Sequence, residues 1–367
     1  MEFDISLFQY RLLRWFRNFS RDLPWRRTYD PYHVWLSEIM LQQTQMERGV
    51  AYFERWLKRY PDIQAVARSS SYEILKYWEG LGYYARARNL HKAARLMHSE
   101  YEGRVPCEYD ELLKLPGVGP YTASAIASIA YNADIPVVDA NVERVFARIF
   151  DIDEPLKSKG VHQKIMKIAW EMLPSGEARN FNQALMDLGG MICTPRNPDC
   201  GNCPVIKECA AYAGNFVEER PVKNTKQVTI PIEMATGMLC KNGHIFIQQR
   251  RDDDIWGGLW EFPGGRVERG ETPEEALLRE YWEETRFTVE IREKITTVTH
   301  FYTRYKVTLH CYLCCLPGES MLPALHAAQK YHWIQKDQLE NYAFPAGHRK
   351  FIDFLKKTDK GRAFTLC

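Results

Sequence analysis

The sequence predicts a multidomain protein with an all-α N-terminal half and an α+β C-terminal half. Up to residue 192, apolar residues recur at the spacing of amphipathic helices. After about residue 230, β-branched and alternating segments bounded by turn residues predict strands, with one strong helix among them. The stretch between the halves is polar, as linkers often are. We therefore expect domains at residues 1–211 and 231–367, joined by a linker at residues 212–230.

Helices are predicted throughout the N-terminal half, most clearly at residues 7–20, 72–77, 85–97, 112–115, 161–173 and 181–192. Between residues 115 and 139, Gly117 and Gly119 flank Val118 and precede a run of small residues. A glycine turn that opens a helix presents unpaired backbone N–H groups to an anion, for which a nucleic-acid phosphate is the obvious candidate. Most such turns are only turns, so this signal is weak alone.

Strands are predicted in the C-terminal half at residues 232–240, 244–249, 288–291, 294–299 and 305–315. Asn242 and Gly243 supply the turn between the first two. The helix at residues 273–284 has Thr272 as its N-cap, Pro273 in its first turn and Glu275 placed to complete a capping box.

Four cysteines, Cys193, Cys200, Cys203 and Cys209, are separated by gaps of six, two and five residues. Thiolates this close in sequence can converge on one metal centre, and four from one loop suit an iron–sulfur cluster. Zinc is an alternative, but zinc sites usually pair ligands two to four residues apart, twice over, and the first gap is too wide. Four ordinary buried cysteines are the other alternative. We expect one [4Fe–4S] cluster at residues 193–209.

Composition excludes several classes of protein. The chain has 367 residues, of which 45% are hydrophobic and 26% charged, as in ordinary globular proteins. It contains no apolar run near 18 residues, and its first residues resemble neither a secretory signal nor a transit peptide. The six cysteines outside the loop show no disulfide framework. We expect a cytoplasmic monomer that does not bind membranes, and that is nucleoid-associated if the source is bacterial.

Further motifs complete a pattern. They are Pro24-Trp25-Arg26, SEIMLQQT at residues 37–44, EGLGYY at residues 79–84, the glycine turn, VDANV at residues 138–142 and the cysteine loop. In this order they resemble the helix-hairpin-helix DNA glycosylases with an iron–sulfur loop, and specifically the MutY-type adenine DNA glycosylases. The resemblance is dense over residues 8–211 and looser to the end. It implies a base-excision repair enzyme that hydrolyses the N-glycosidic bond of adenine opposite 8-oxoguanine or guanine in double-stranded DNA.

Glycosidic hydrolysis requires an acid for the leaving base and a carboxylate that stabilises the sugar cation. The resemblance assigns these roles to Glu38 and Asp139. Asp139 lies where a helix should start, a position that favours a negative charge but that is also an ordinary helix cap. Tyr121 and Asn141 should orient the carboxylates or the sugar. Because Tyr121 replaces a lysine of bifunctional relatives and cannot form a Schiff base, we expect a monofunctional enzyme.

The base must leave the duplex, at a cost of a few kcal/mol. By resemblance, Gln43 and Tyr83 wedge the base stack, and Arg26 and Gln183 hold the extruded adenine. Tyr83 as a core aromatic and Gln183 as a solvated helix residue are the alternatives. The same resemblance places further DNA contacts at Thr44, Gly117 and Gly119.

Residues 264–287 resemble a Nudix box, in which Glu280, Glu283 and Glu284 share one helix face. A Mg²⁺ ion would relieve the repulsion of their carboxylates. Arg286 stands where glycine is usual, and its cation could pair with one of these carboxylates instead. A salt-bridged surface helix is the structural alternative. A DNA-anchored Nudix pyrophosphohydrolase is the alternative function.

MutY-type proteins use their Nudix-like domain to recognise 8-oxoguanine opposite adenine. Many of them carry Phe-Ser-His at the recognition loop, whereas this chain has Tyr302-Thr303-Arg304 after His300-Phe301. Thr303 keeps a hydroxyl that can bond to a purine edge. We expect this domain to read the base opposite adenine and to have little or no hydrolase activity.

Overall fold

The computed structural model describes residues 3–223, 228–318 and 322–357. None of the helices within these ranges is long and apolar enough to cross a membrane. In chain order the α-helices are α1 (Ile5–Phe19), α2 (Pro31–Leu41), α3 (Met46–Arg59), α4 (Ile63–Arg68), α5 (Ser71–Trp78), α6 (Ala85–Glu100), α7 (Tyr109–Leu113), α8 (Pro120–Tyr131), α9 (Ala140–Ile149), α10 (Val161–Met172), α11 (Ala178–Asp187), α12 (Ala210–Ala213), α13 (Pro273–Thr285) and α14 (Ala346–Lys357).

The chain divides into two compact units. The first comprises Met1–Arg68 and Asn89–Lys226, and the second comprises Ser69–Arg88 and Gln227–Cys367. Residues 69–88 are thus grouped with C-terminal residues, although the sequence places them within the predicted N-terminal domain. Of the predicted linker, residues 224–227 lie outside the described part of the chain.

The first unit is built around α2 and α8, which pack against each other. Residues 34–40 of α2 and residues 122–130 of α8 are buried without interruption. Helices that are buried on all sides and mostly apolar lie in a protein interior, and the small side chains of α8 let its neighbours approach closely. The prediction of an all-α N-terminal half is confirmed, and these two helices bring Glu38 and Tyr121 together.

Helices α7 and α8 form the helix-hairpin-helix. Gly117 in the turn between them has φ +81°, and a Cβ at this position would lie 2.7 Å from the Cβ of Asn89. The turn therefore requires glycine on both conformational and steric grounds. Gly119 is the N-cap of α8, with φ −97° and with Pro120 in the first turn of the helix. The predicted glycine turn before a helix is confirmed.

The second unit contains a mixed sheet, with seven strands in the described residues. They are β1 (Ile230–Lys241), β2 (His244–Arg250), β3 (Trp260–Glu261), β4 (Gly264–Arg266), β5 (Glu290–Tyr302), β6 (Tyr305–Cys315) and β7 (Ala328–Ile334). Their order is β3-β2-β1-β6-β5, with β4 paired to β1 and β7 paired to β2. Strands β1 and β6 are parallel, and the other pairs are antiparallel.

Two of the predicted strands form one. The sequence predicts separate strands at residues 288–291 and 294–299, but β5 includes the last two residues of the first and the whole of the second. Its register against β6 shifts between Ile291 and Glu293 and again between Lys294 and Thr296. Such irregularities let a single long strand absorb residues that break the alternating pattern.

Helices α13 and α14 cover opposite faces of the sheet. Leu277 and Tyr281 of α13 pack with residues of β1, β2 and β6, whereas Phe351 and Leu355 of α14 pack in a separate cluster. Helix α13 starts with the predicted capping box, in which the Glu275 N–H donates to the Thr272 hydroxyl over 3.2 Å and the Thr272 N–H donates to the Glu275 carboxylate over 2.8 Å. The α+β prediction for the C-terminal half is confirmed.

Candidate active site

A cleft of about 330 Å³ in the first unit contains both carboxylates that the sequence indicates for catalysis. Helix α2 supplies Glu38, the first turn of α8 supplies Tyr121, and the start of α9 supplies Asp139 and Asn141. Side chains that are far apart in sequence therefore share one space. The full lining is Arg21, Glu38, Leu41, Gln42, Thr44, Met46, Tyr121, Asp139, Ala140, Asn141, Met186 and Gly190.

Glu38 is only 8% exposed. Its Oε2 accepts a hydrogen bond of 3.2 Å from the Tyr121 hydroxyl. Burial is the main reason that the pKa of Glu38 is raised to about 7; the Tyr121 hydrogen bond lowers it, the Asp139 carboxylate raises it and Arg26 lowers it. A carboxyl group with such a pKa carries a proton in a large share of molecules at neutral pH, which suits it to act as a general acid.

Asp139 is the N-cap of α9. Its Oδ1 accepts hydrogen bonds from the backbone N–H groups of Asn141 (2.9 Å) and Val142 (2.8 Å), and its Oδ2 accepts one from the Asn141 side-chain amide (2.8 Å). These donors and the positive end of the α9 dipole stabilise the negative charge and hold the carboxylate in one orientation. The helix cap and the cleft carboxylate are thus the same residue, so the two interpretations of Asp139 do not compete.

A hydrogen-bonded chain runs from Asp139 to the cysteine loop. The Arg144 guanidinium donates through Nη2 to the Asn141 side-chain oxygen (2.8 Å) and through Nε to the Cys193 carbonyl (2.8 Å). Arg144 is 8% exposed, so these bonds are shielded from water. The cysteine loop therefore helps to hold Arg144, which holds the Asn141 side chain that in turn orients Asp139.

The four cysteines line one small apolar cavity. Burial, together with the neighbouring thiols of the loop, raises the pKa of Cys203 to about 12. The four side chains are half-buried, and a thiol with a raised pKa becomes a thiolate near neutral pH only beside a positive centre such as a metal. Within the described ranges, no group of three or more His, Cys, Asp or Glu residues is arranged around a point where a single metal ion would bind. The four predicted ligands therefore share one cavity in the described part of the chain.

Arg26 is not part of the cleft lining. It forms a bidentate pair with the fully buried Asp187, with distances of 2.7 and 3.0 Å. Arg21 donates to the same Asp187 through Nε at 2.7 Å, and Arg21 does line the cleft. Sequence reasoning missed Arg21 as a site residue, and its only signal was its place in an arginine-rich segment.

Of the other residues predicted to contact DNA in the first unit, some line the cleft and some do not. Thr44 lines the cleft, as does Gln42, which donates to Thr122 over 3.3 Å. Gln43 has a left-handed backbone with φ +57°, a conformation that costs a residue with a Cβ about 1 kcal/mol or more. Gln183 is 1% exposed and donates to the Arg179 carbonyl over 3.0 Å, so it is not a solvated helix residue. Gln183 is not part of the cleft lining.

Tyr83 belongs to the second unit. It lies in a turn in which Gly80 has φ +96°, Gly82 has φ +77° and Tyr83 itself has φ +48°. The Arg86 guanidinium lies 5.6 Å from the centre of the half-buried Tyr83 ring. Because the tyrosine backbone is strained and its side chain is only half-buried, Tyr83 is not an ordinary core aromatic.

Thr303 lies in the turn between β5 and β6, where it is exposed and has φ +52°. Phe301 beside it is 70% exposed. The Arg304 guanidinium lies 5.4 Å from the centre of the Tyr305 ring. The turn thus presents a hydroxyl, an apolar ring and a cation at one end of the sheet.

Two glutamates of α13 are paired with Arg279, and not with Arg286 as the sequence suggests. Arg279 pairs with Glu271 (2.7 Å), Glu280 (3.1 Å) and Glu283 (3.2 Å). The idea that Arg286 pairs with these glutamates is wrong, because its guanidinium lies over the Trp282 ring at 5.3 Å. Arg286 does take the left-handed helix end at which glycine is usual, with φ +60°.

Glu284 differs from Glu280 and Glu283 in that its side chain is buried. Its Oε2 accepts hydrogen bonds from Gln248 (2.9 Å) and from the Gly264 N–H (3.1 Å). Burial, with the nearby Glu261 carboxylate, raises the pKa of Glu284 to about 8. Sequence reasoning missed Glu261, which is 3% exposed and pairs with Arg250 over 2.6 Å. Arg279 thus engages Glu280 and Glu283, and Gln248 and the Gly264 N–H engage Glu284, so all three predicted magnesium ligands have partners within the protein.

The fold and the cleft define a DNA repair class. Residues 36–173 match the family model described as HhH-GPD superfamily base excision DNA repair protein, and residues 235–354 match the NUDIX domain model. A solved thermostable thymine-DNA glycosylase is 32% identical, with a TM-score of 0.52, and the match covers 57% of this chain and 97% of that one. An endonuclease III–DNA covalent intermediate, at 23% identity and a TM-score of 0.50 over 59% of this chain and 100% of that one, shares the fold.

Relatives also match the chain beyond the helical unit. The adenine DNA glycosylase of Buchnera aphidicola subsp. Acyrthosiphon pisum is 31% identical over 96% of this chain and 98% of its own length. That of Rattus norvegicus is 31% identical over 98% of this chain and 80% of its own. That of Mycolicibacterium smegmatis is 41% identical over 58% of this chain and 72% of its own. The chain belongs to the adenine DNA glycosylase family.

Proposed function

We propose that the protein is a monofunctional DNA glycosylase of base-excision repair that removes adenine mispaired with 8-oxoguanine or guanine. The observation that carries this proposal is the pair of carboxyl groups in the cleft. Glu38 is buried with a pKa of about 7, whereas Asp139 is held by three hydrogen bonds at a helix N-terminus. Two carboxyl groups in such different environments match an acid and a charge stabiliser.

In the proposed reaction, Glu38 donates its proton to N7 of the extruded adenine. The C1′–N9 bond then breaks, and its electron pair leaves with the base. Asp139 stabilises the positive charge on the sugar, with Asn141 and Tyr121 holding the two carboxyl groups in place. The Glu38 carboxylate then takes the proton of a water molecule that attacks C1′, which restores Glu38 and leaves an abasic site. Position 121 is a tyrosine and not a lysine, so no imine with the sugar forms and the DNA strand stays intact.

Base extrusion is assigned to strained residues. Gln43 and Tyr83, proposed to enter the base stack, both have left-handed backbones. Strain of this kind persists where surrounding structure enforces it and is frequent at binding sites. The backbone at Gly117 and Gly119 would bind a DNA phosphate at the start of α8. Arg21 and Thr44 line the cleft, and we propose that they contact the substrate directly. Arg26 and Gln183 would support the adenine pocket from positions beside it.

Cys193, Cys200, Cys203 and Cys209 would hold one [4Fe–4S] cluster, for which their shared cavity is the support. Such a cluster would fix the fold of the loop and take no part in the release of the base. The loop's contact with Arg144 then keeps Asn141, and through it Asp139, in position.

The C-terminal unit is proposed to read the base opposite adenine with the turn at residues 300–304, including Thr303. It is not proposed as a hydrolase, because Arg279 engages Glu280 and Glu283, and Gln248 and the Gly264 N–H engage Glu284. A DNA-anchored pyrophosphohydrolase, the alternative function, would also not require the carboxyl groups of Glu38 and Asp139 in the cleft. The proposed partner is double-stranded DNA, bound by a monomer in the cytoplasm, at the nucleoid if the source is bacterial.

The test is a single-turnover assay on a duplex with one adenine opposite 8-oxoguanine, followed by alkali to cut abasic sites. We expect alkali-dependent cleavage at the adenine, slower cleavage opposite guanine and none at an adenine paired with thymine. Cleavage before alkali would contradict the monofunctional mechanism. An intact adenine in the 8-oxoguanine duplex would refute the proposed activity.

A further inference from the structure

Residues 69–88 are packed within the second unit through both of their ends. On the α5 side, a Cβ built on Gly258 would lie 3.0 Å from Cδ1 of Leu75. On the α6 side, Arg88 donates to the Gly257 carbonyl over 3.0 Å. The segment that carries Tyr83 is thus held by the same loop, residues 257–258, before and after its turn.

Glu79 is bonded within the second unit by several charge-assisted contacts. It ends α5, and its side chain is 11% exposed. Its Oε1 accepts hydrogen bonds from the Phe344 N–H (2.9 Å) and from Arg349 Nε (2.8 Å), and its Oε2 accepts one from Lys76 Nζ (2.6 Å). Charge-assisted hydrogen bonds that are shielded from water are strong and directional, so Glu79 has little freedom to move relative to α14.

Tyr84 provides a second attachment to the same residue. Its hydroxyl donates to the Phe344 carbonyl over 3.1 Å. Phe344 is fully buried among the core residues that contact α14. Glu79 and Tyr84 therefore bind the N–H and the carbonyl of one core residue, and the four residues between them form the strained turn that carries Tyr83.

We propose that Glu79 is a positioning residue that ties the Tyr83 turn to the unit that reads the base opposite adenine. The inference rests on the proposed function, in which Tyr83 enters the base stack. Since both ends of the turn are fixed to Phe344, binding of 8-oxoguanine by the C-terminal unit also places Tyr83. If the tie is lost, the turn must be ordered on DNA separately, at a cost in conformational entropy.

The experiment compares wild type, Glu79→Gln and Tyr84→Phe in the full-length protein. The matched control is Glu340→Gln, which removes another carboxylate that pairs with Arg349, at 3.0 Å. The readout is the ratio of single-turnover rates for adenine opposite 8-oxoguanine and adenine opposite an abasic site, where there is no base to read. Thermal unfolding establishes that each variant is folded. If Glu79→Gln does not fold, the rate ratio of Tyr84→Phe tests the proposal instead.

Loss of the Glu79 charge, which weakens the bond from Arg349 and removes the acceptor for Lys76, should lower this ratio about tenfold in Glu79→Gln, with a smaller fall in Tyr84→Phe and a change below about twofold in the control. A ratio that is unchanged in folded Glu79→Gln, or that falls as far in Glu340→Gln, would overturn the inference. If wild type releases no adenine, the proposed function fails instead, so the two failures are distinguishable.

Discussion

Replacing Glu38 with glutamine should abolish adenine release and, at the same time, make the folded protein more stable at neutral pH. Burial raises the pKa of Glu38 to about 7 from its usual 4.5. The folded protein therefore binds this proton more tightly than the unfolded chain does. Between these two pH values the folded state holds more protons, so its stability falls as the pH rises.

The size of this effect follows from the two pKa values. Each tenfold change in proton affinity corresponds to about 1.4 kcal/mol, so the wild type loses roughly 3 kcal/mol of unfolding free energy across this range. The amide introduced by Glu38→Gln would carry no charge at any pH and could still accept the Tyr121 hydrogen bond. The advantage of this variant over wild type should thus be small at pH 5 and reach about 2 to 3 kcal/mol at pH 8.

Urea unfolding of both proteins at pH 5 and pH 8 measures this difference. The control is Glu171→Gln, a change on the exposed side of α10, where the side chain is 57% exposed. This control should show no comparable growth with pH. If the stability difference between Glu38→Gln and wild type stays constant from pH 5 to pH 8, then Glu38 is not held in a site that disfavours its charge, and its role as the acid loses its basis.

Three other predictions concern separate parts of the molecule. Asp139→Asn should slow adenine release by about a hundredfold or more while binding to the mismatch changes little, because the amide keeps the shape but not the charge; single-turnover kinetics and a gel-shift assay test both parts, and a rate near wild type would remove Asp139 from the mechanism. Iron and acid-labile sulfide analysis should find one [4Fe–4S] cluster per protein, with a lower iron and sulfide content in Cys203→Ser. Stoichiometric zinc would contradict the assignment. The full-length protein should release no pyrophosphate from 8-oxo-dGTP and Mg²⁺; release that disappears in Glu283→Gln would instead establish a second activity.

Local signals in the sequence were sufficient for individual elements. The bounds of β6 agree with the predicted strand, since its β-branched residues are flanked by turn residues at both ends. Helix α13 differs from its prediction by one residue at its C-terminus, because the Thr272 cap and Pro273 mark its start. The long strand β5 was predicted in two pieces because the residues at its register shifts interrupt the alternation that indicates a strand.

Contacts between distant residues could not be predicted in this way. Arg21 faces the cleft and Arg26 does not, although both are arginines of one short segment. Which of them is exposed depends on their shared partner Asp187, more than 160 residues later. The same holds for Glu261, whose position beside Glu284 depends on the pairing of β2 and β3. Resemblance to a known family identified Glu38 and Asp139, and their different environments were visible only in the fold.

The grouping of residues 69–88 with the second unit affects how the protein folds during synthesis. Residues 69–88 leave the ribosome about 140 residues before the first residues of the C-terminal part of their unit. At about 5 to 20 residues per second, synthesis of the intervening chain takes roughly 7 to 30 seconds. During that interval Leu75 and Tyr84 have no access to Gly258 or Phe344, which they contact in the finished protein. Folding of the N-terminal half during synthesis must therefore proceed around a loop whose own packing partner does not yet exist.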